Sequence, residues 1–153
     1  MREILFRGKL ESGAWVYGSL VQASDFVGII ERDEERYDYP YMDSTTGCID
    51  GNACIVDPDT VGQYTGLTDK NGTKIFEGDI VKYVDDGYVA TGVARFGLYA
   101  SAGAAFAGHE GFYLDWAGCD WLRKDIGFWA TMRPIEVIGS IHDNPELMEV
   151  RNG

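Results

Sequence analysis

The residues best suited to chemistry in this chain are two histidines, each followed directly by a carboxylate. His109 precedes Glu110, and His142 precedes Asp143. A neighbouring carboxylate can hold an imidazole in the orientation that a general base needs. No serine or cysteine stands in a motif such as GxSxG that would activate it as a nucleophile. The sequence therefore predicts no catalytic residues. An enzyme that acts on a small ligand or carbohydrate through His109 or His142 with a carboxylate is an alternative.

The spacing of the three cysteines fits neither a metal site nor a disulfide framework. Cys48 and Cys54 are the nearest pair, and Cys119 stands far from both. Structural zinc sites draw their ligands from pairs about two to four positions apart. An odd number of cysteines fits a reducing compartment, and the first residues lack the apolar stretch of a signal peptide. We therefore expect no metal, no cofactor and a cytoplasmic location.

The stretch QYTGLTDKNGTKIFEGDIVK at residues 63–82 contains glycine and acidic residues that could bind a cation or a phosphate. A calcium loop that starts at Asp69 would need glycine at its sixth position and a carboxylate at its twelfth. Those positions hold Lys74 and Ile80. The glycine spacing also matches neither GxGxxG nor GxxxxGK[ST]. The stretch is therefore predicted to be structural.

Two pairs in this stretch predict how the backbone turns. Asn71-Gly72 is a favoured pair for a two-residue type I′ hairpin turn, and apolar segments lie on both sides of it. Gly78-Asp79 leads directly into the apolar run IVKYV. Small SH3-like barrels often begin a strand in this way, because glycine adopts the bend and aspartate caps it. The stretch thus predicts the start of a small barrel.

Charge and composition restrict the partners and the fold class. The formal net charge is −12, which disfavours nucleic acid and anionic membrane surfaces as partners. An acidic decoy that mimics DNA in front of a nucleic-acid-binding enzyme is an alternative function. The chain has 20 Gly and only 4 Pro, with 13% aromatic residues, a composition that favours short strands and tight turns. We expect a mainly β fold.

The predicted organisation is an N-terminal β segment at residues 1–60 and an SH3-like barrel domain at residues 61–153. The barrel carries an aromatic and glycine-rich insertion at 97–134, with a possible short helix near 119–126. A short helical turn follows Asn144 at the C-terminal end, because Pro145 fits the first position of such a turn. The predicted strands lie near the following segments: 3–9, 14–21, 37–42, 61–65, 73–76, 79–84, 88–96 and 135–142. The first two are predicted to form a hairpin with Gly13 in its turn, and 79–84 and 88–96 a second hairpin around Asp85-Asp86-Gly87.

The insertion is rich in large aromatic side chains. If a domain this small cannot bury all of them, the surplus forms an exposed patch, which usually marks a protein contact. Open strand edges favour association in the same way. The residues predicted for this interaction surface are Phe112, Tyr113, Trp116, Trp121, Phe128 and Trp129.

Three segments together resemble the YopX family of proteins encoded by bacteriophages and prophages. They are ILFRGKL at the N-terminus, GQYTGLTDKNGTKIFEGDIVKY in the middle and EVIGSIHDNPELM at the end. The resemblance implies a mainly β protein with an SH3-like barrel that tends to self-associate. It implies no established activity and supplies no catalytic residue.

These observations predict a phage or prophage accessory protein that acts by binding and not by catalysis. It would be a homo-oligomeric interaction module whose partners are its own copies and an unidentified host or phage protein. Neither nucleic acid nor membrane is an expected partner.

Overall fold

The computed structural model describes residues 3–31, 48–49, 53–100, 108–118 and 124–148. Most of the acidic segment 31–47, including the strand predicted at 37–42, lies outside the described residues. So does Trp121. The elements are β1 (Phe6–Lys9), β2 (Trp15–Gln22), β3 (Val27–Glu31), β4 (Cys48–Ile49), β5 (Ala53–Ile55), β6 (Asp57–Thr68), β7 (Lys74–Phe76), β8 (Asp79–Asp85), β9 (Tyr88–Ala100), β10 (Gly108–Trp116), α1 (Ile126–Met132), β11 (Ile135–Ser140) and a 3₁₀ turn (Pro145–Met148).

The fold is mainly β, as the composition predicted. The strands form two antiparallel sheets, and most join neighbours in the sequence through short turns. One sheet has the strand order β4-β5-β3-β2-β1-β6-β7, and the other has the order β10-β9-β8-β11. Neither sheet closes on itself within the described residues, because its first and last strands do not pair. The predicted SH3-like barrel is therefore not confirmed.

The chain divides into two compact units, Met1–Tyr64 and Thr65–Gly153. The sequence placed its boundary between residues 60 and 61, inside β6. In the first unit, β1 and β2 form the predicted N-terminal hairpin, and the amide of Gly13 donates to the carbonyl of Leu10 at 2.8 Å to close its turn. A core of alternating apolar residues from β2, β3 and β5 lies behind these strands and includes Val16 and Ile29.

In the second unit, β8 and β9 form a hairpin with a type I′ turn. Its two central residues, Asp86 and Gly87, have φ values of 45° and 86°. Positive φ at both positions matches the right-handed twist of the strands. This agrees with the hairpin that the sequence predicted around Asp85-Asp86-Gly87.

The Asn71-Gly72 turn has a different geometry from the predicted one. Gly72 has φ of 82° and donates its amide to the carbonyl of Asp69 at 3.0 Å. Asn71 is not among the described non-glycine residues with positive φ, so the prediction of a type I′ turn is wrong. The carboxylate of Asp69 explains the difference, because its Oδ1 accepts the amides of Asn71 and Thr73, each at 2.9 Å. The resulting loop resembles a type I turn followed by a left-handed glycine.

Asp69 also joins this turn to β11. Its Oδ2 accepts the amide of Val137 at 2.9 Å. Beside it, the amide of Lys70 donates to the carbonyl of Ile135 at 3.0 Å. Asp69 is only 6% exposed, so both of its carboxylate oxygens are committed to backbone amides in a buried setting. The acidic residue of the DKNG stretch thus holds the fold together.

The helical elements differ in how well the sequence predicted them. The C-terminal helical turn is present at Pro145–Met148. The sequence predicts that Asn144 caps this turn, whereas the Asn144 side chain accepts the amide of Ser140 at 3.4 Å. The helix α1 lies at Ile126–Met132, later than the predicted 119–126. Its buried residues are Ile126 and Trp129, and these side chains pack it onto the core of the second unit.

Alkaline pH is expected to destabilise the second unit through Tyr83. The Tyr83 hydroxyl donates to Asp85 Oδ2 at 2.8 Å. This hydrogen bond to a carboxylate, with burial, raises the pKa of Tyr83 above 10.0. The interaction stabilises the fold fully below the unfolded pKa of about 10. It is lost as pH rises through the folded pKa. Urea unfolding of wild type and Tyr83→Phe across pH 8–11 tests this: the stability difference between the two should shrink above about pH 10. An unchanged difference would contradict the role of this bond.

Candidate interaction surface

The second half of the β9–β10 hairpin extends beyond the rest of its sheet. β9 pairs with β8 only over residues 88–93, whereas its pairing with β10 continues to Ala100. Residues 94–100 and 108–114 therefore form a two-stranded segment, which we call the ribbon. Ala94 and Leu114, at the base of the ribbon, are buried in the core of the second unit, and the exposed side chains lie beyond them.

One face of the ribbon carries exposed apolar side chains. Phe96 is 52% exposed and Leu98 is 76% exposed. Phe96 lies opposite Phe112 in the register, and their rings meet edge to face with centroids 5.0 Å apart. Phe112 is half-buried and packs against the core of the second unit. Burial on this face thus decreases along the ribbon, from the half-buried Phe112 to the exposed Leu98.

The opposite face carries polar aromatic side chains. The rings of Tyr99 and Tyr113 stack with centroids 5.3 Å apart, and His109 lies 5.6 Å from the Tyr99 ring. Arg95 Nε donates to Asp115 Oδ2 at 3.0 Å in a half-exposed ion pair. The side chains of this face thus contact one another within the hairpin. The apolar face is therefore the more suitable one for binding a partner.

The structure divides the residues that the sequence assigned to the interaction surface. Trp116 and Trp129 are 3% and 4% exposed, and their rings meet at 4.9 Å within the core. Both side chains are therefore buried and do not belong to an exposed interaction surface. Phe112 and Tyr113 lie on the ribbon, and Phe128 is half-buried on α1.

Sequence reasoning missed Phe96 and Leu98. The signal that could have found them is the alternation of large apolar residues in ARFGLYA at residues 94–100. The predicted strand instead ends at Phe96, and Leu98 falls in the aromatic and glycine-rich insertion at 97–134.

The two histidines lie in different parts of the second unit's sequence and in different surroundings. His109 is exposed on the ribbon beside Tyr99. His142 follows β11 and lies against Gly78. Next to it, the Ser140 hydroxyl donates to Asp143 Oδ2 at 3.4 Å, and the Asp143 amide donates to the Ser140 hydroxyl at 3.1 Å. The carboxylate that follows His142, that of Asp143, is thus hydrogen-bonded to Ser140 within this turn.

Comparisons with known proteins agree with this architecture. A family model described as YopX protein matches residues 5–149. The crystal structure of protein EF1440 from Enterococcus faecalis is similar, with a TM-score of 0.53 and 23% sequence identity, and the match covers 97% of this chain and 100% of that chain. At that identity the similarity concerns the fold alone. No curated protein matches the chain.

Among the described residues, no helix has both the length and the apolar composition needed to cross a bilayer.

Proposed function

The chain belongs to the YopX protein family, and on this basis we propose that it is a phage or prophage accessory protein that acts as a non-enzymatic interaction module. It self-associates and binds a host or phage protein in the cytoplasm. The observation that carries the proposal is the exposure of Phe96 and Leu98 on the ribbon.

The apolar face of the ribbon supplies the driving force for binding. Removing apolar surface from water stabilises a complex by roughly 25 cal/mol per Å². Two large side chains side by side on one short strand segment are therefore a strong candidate for the centre of a contact.

Charge makes the ribbon the favoured place for two copies to meet. The chain carries a net charge of −12, so most approaches between copies are repulsive. Residues 94–100 and 108–114 contain two charged side chains, Arg95 and Glu110, and Arg95 forms its ion pair with Asp115. The charge density of the ribbon is therefore low. Two copies can therefore bring their ribbons together with little electrostatic repulsion.

Replacing both exposed residues with glutamate is expected to abolish self-association. The variant Phe96→Glu/Leu98→Glu puts two carboxylates on the apolar face, where burial would leave them without a compensating charge. We expect its dimer to dissociate at least about tenfold more readily than that of wild type. Size-exclusion chromatography with light scattering over a range of concentrations measures this change.

Val89→Glu is the matched control, because Val89 is 55% exposed on the same strand but lies outside the ribbon. It adds a negative charge to β9 without touching the proposed surface, so its assembly should follow wild type. Equal weakening by both variants would show that added negative charge alone is responsible. Unchanged assembly in the double variant would overturn the role of the ribbon.

A further inference from the structure

The structure brings two of the three cysteines together in the seven-stranded sheet. Cys48 on β4 lies directly opposite Cys54 on β5 in the antiparallel register, with Ile49 opposite Ala53. In the sequence the two cysteines stand six positions apart, a spacing that indicates neither a metal site nor a disulfide framework. Strand pairing therefore creates a relation between them that the spacing alone does not show.

The hydrogen bonds between β3 and β5 determine the geometry of this pair. The amide of Val56 donates to the carbonyl of Val27 at 3.0 Å, so these two residues form a hydrogen-bonded pair at the end of β5. Hydrogen-bonded and non-hydrogen-bonded pairs alternate along an antiparallel ladder. Ile29 and Cys54, two positions further along the same register, are therefore the next hydrogen-bonded pair.

The backbone groups of Cys54 thus point towards β3 and away from β4. Cys48 and Cys54 are consequently a non-hydrogen-bonded pair, the kind in which opposite Cα atoms lie closest, about 4.5 Å apart. A disulfide joins Cα atoms that are about 4.4–6.8 Å apart, and residues directly opposite each other share one face of a sheet. The backbone therefore places the two cysteines within the range that a disulfide can join.

We infer that Cys48 and Cys54 form a reversible disulfide in the folded chain when the surrounding thiols become oxidised, and that this bond fixes β4 to β5. β4 has only two residues and is the outermost strand of its sheet, so it has a strand neighbour on one side only. Disulfides in cytoplasmic proteins are usually transient and often sense the redox state. The inference concerns the first unit and does not depend on the proposed self-association.

The oxidant is a small-molecule disulfide such as oxidised glutathione. The thiolate of one cysteine attacks a glutathione sulfur and expels one glutathione thiolate, which leaves a mixed disulfide. The thiolate of the second cysteine then attacks the sulfur of the first and expels the other glutathione thiolate. Two cysteine thiols are thereby oxidised, one glutathione disulfide is reduced to two thiols, and the two protons pass to glutathione.

The length of the closed loop makes the bond reversible. The loop spans only residues 48–54, and a disulfide that closes a short loop stabilises a fold less than one that closes a long loop. A thiol such as dithiothreitol should therefore reduce it readily.

Equilibration of Cys119→Ser in glutathione buffers tests the pairing, because this variant retains only Cys48 and Cys54. Equilibrium is measured because Cys54 is buried and exchanges slowly. After an acid quench and unfolding, the remaining thiols are alkylated and counted by mass spectrometry. In the oxidising buffer we expect loss of both thiols, a peptide that links residues 48 and 54, and recovery of both thiols with dithiothreitol.

The same equilibrium in urea shows whether the fold favours the bond. A disulfide that stabilises the folded state is itself favoured by folding, so the equilibrium constant for oxidation should be at least about tenfold higher in the folded chain. A constant no higher than in urea would overturn the inference. Circular dichroism checks that Cys119→Ser folds, and the linked peptide in oxidised wild type must contain the same pair. A link that involves Cys119 instead would also overturn it.

Cys48→Ser is the matched control, because it keeps Cys54 and removes its partner. Its Cys54 thiol should remain available for alkylation after unfolding. Equal loss of this thiol in the control would mean that glutathione adducts and not pairing account for the result, and would contradict the inference.

Hydrogen exchange measures whether the bond fixes β4. Because Cys48 and Cys54 form a non-hydrogen-bonded pair, Ile49 and Ala53 are the adjacent hydrogen-bonded pair. The Ile49 amide should therefore exchange at least about tenfold more slowly in the oxidised chain than in the reduced one. Equal exchange rates in the two forms would overturn the effect on β4.

Discussion

Replacing Trp129 with alanine is expected to lower the free energy of unfolding of the second unit by about 3–5 kcal/mol. The indole is 4% exposed and makes edge-to-face contacts with Tyr83, Trp116 and Phe128 at 5.0, 4.9 and 5.4 Å. Truncation removes this buried surface and leaves a cavity between α1 and the sheet. Because α1 has only seven residues and no side-chain capping hydrogen bond at its N-terminus, packing must supply most of its stability.

Urea denaturation followed by circular dichroism measures this loss. Phe128→Ala is the matched control, because it truncates a half-buried ring on the same helix. We expect about 1–2 kcal/mol for that variant, in proportion to the smaller area buried. A small effect of Trp129→Ala with a clear loss of self-association would mean that Trp129 belongs to the contact surface. The structure predicts the reverse.

The contrast between Trp129 and Leu98 shows what the sequence alone could not predict. Both are large apolar residues in the segment read as an insertion, and local pattern gives them the same preference for burial. The difference is tertiary, because α1 covers Trp116 and Tyr83 through Trp129, whereas the face at Leu98 remains 76% exposed. Alternation identifies the faces of a strand, but it cannot show where the covering layer ends.

Local turn chemistry was predicted more successfully. Asp86-Gly87 adopts the positive φ values that its residue types favour, and the strands on both sides pair in register. The first hairpin formed where its apolar runs and Gly13 indicated. Interactions within a few residues set these features, so the sequence contains nearly all the information needed.

The same reasoning gave the wrong turn type at Asn71-Gly72, because a residue distant in the sequence takes part in this turn. Asp69 accepts an amide from Val137, a residue 68 positions away. The carboxylate must satisfy this bond and the two local ones at once. This requirement favours the observed loop over the type I′ turn that Asn-Gly prefers alone.

Asp69→Ala is therefore expected to cost the second unit about 3 kcal/mol, a large effect for one polar side chain. Hydrogen bonds to a charged acceptor contribute roughly 1.5–3 kcal/mol each, and a donor left unsatisfied in the interior adds a penalty. The variant removes the acceptor of three amides, including that of Val137 on β11. Asp69→Asn should lie between wild type and alanine, because one carboxylate oxygen is replaced by a donor that faces an amide.

Asp57→Ala provides the matched control for this prediction. Asp57 also accepts a backbone amide, that of Asp59 at 3.0 Å, but the bond is local and exposed. Its loss should cost less than about 1 kcal/mol in the same urea titration. Equal effects of the two substitutions would mean that Asp69 acts only on its own turn. A larger effect at Asp69, with faster hydrogen exchange at the Val137 amide, would show that the carboxylate holds β11 in place and keeps that edge of the sheet closed to other strands.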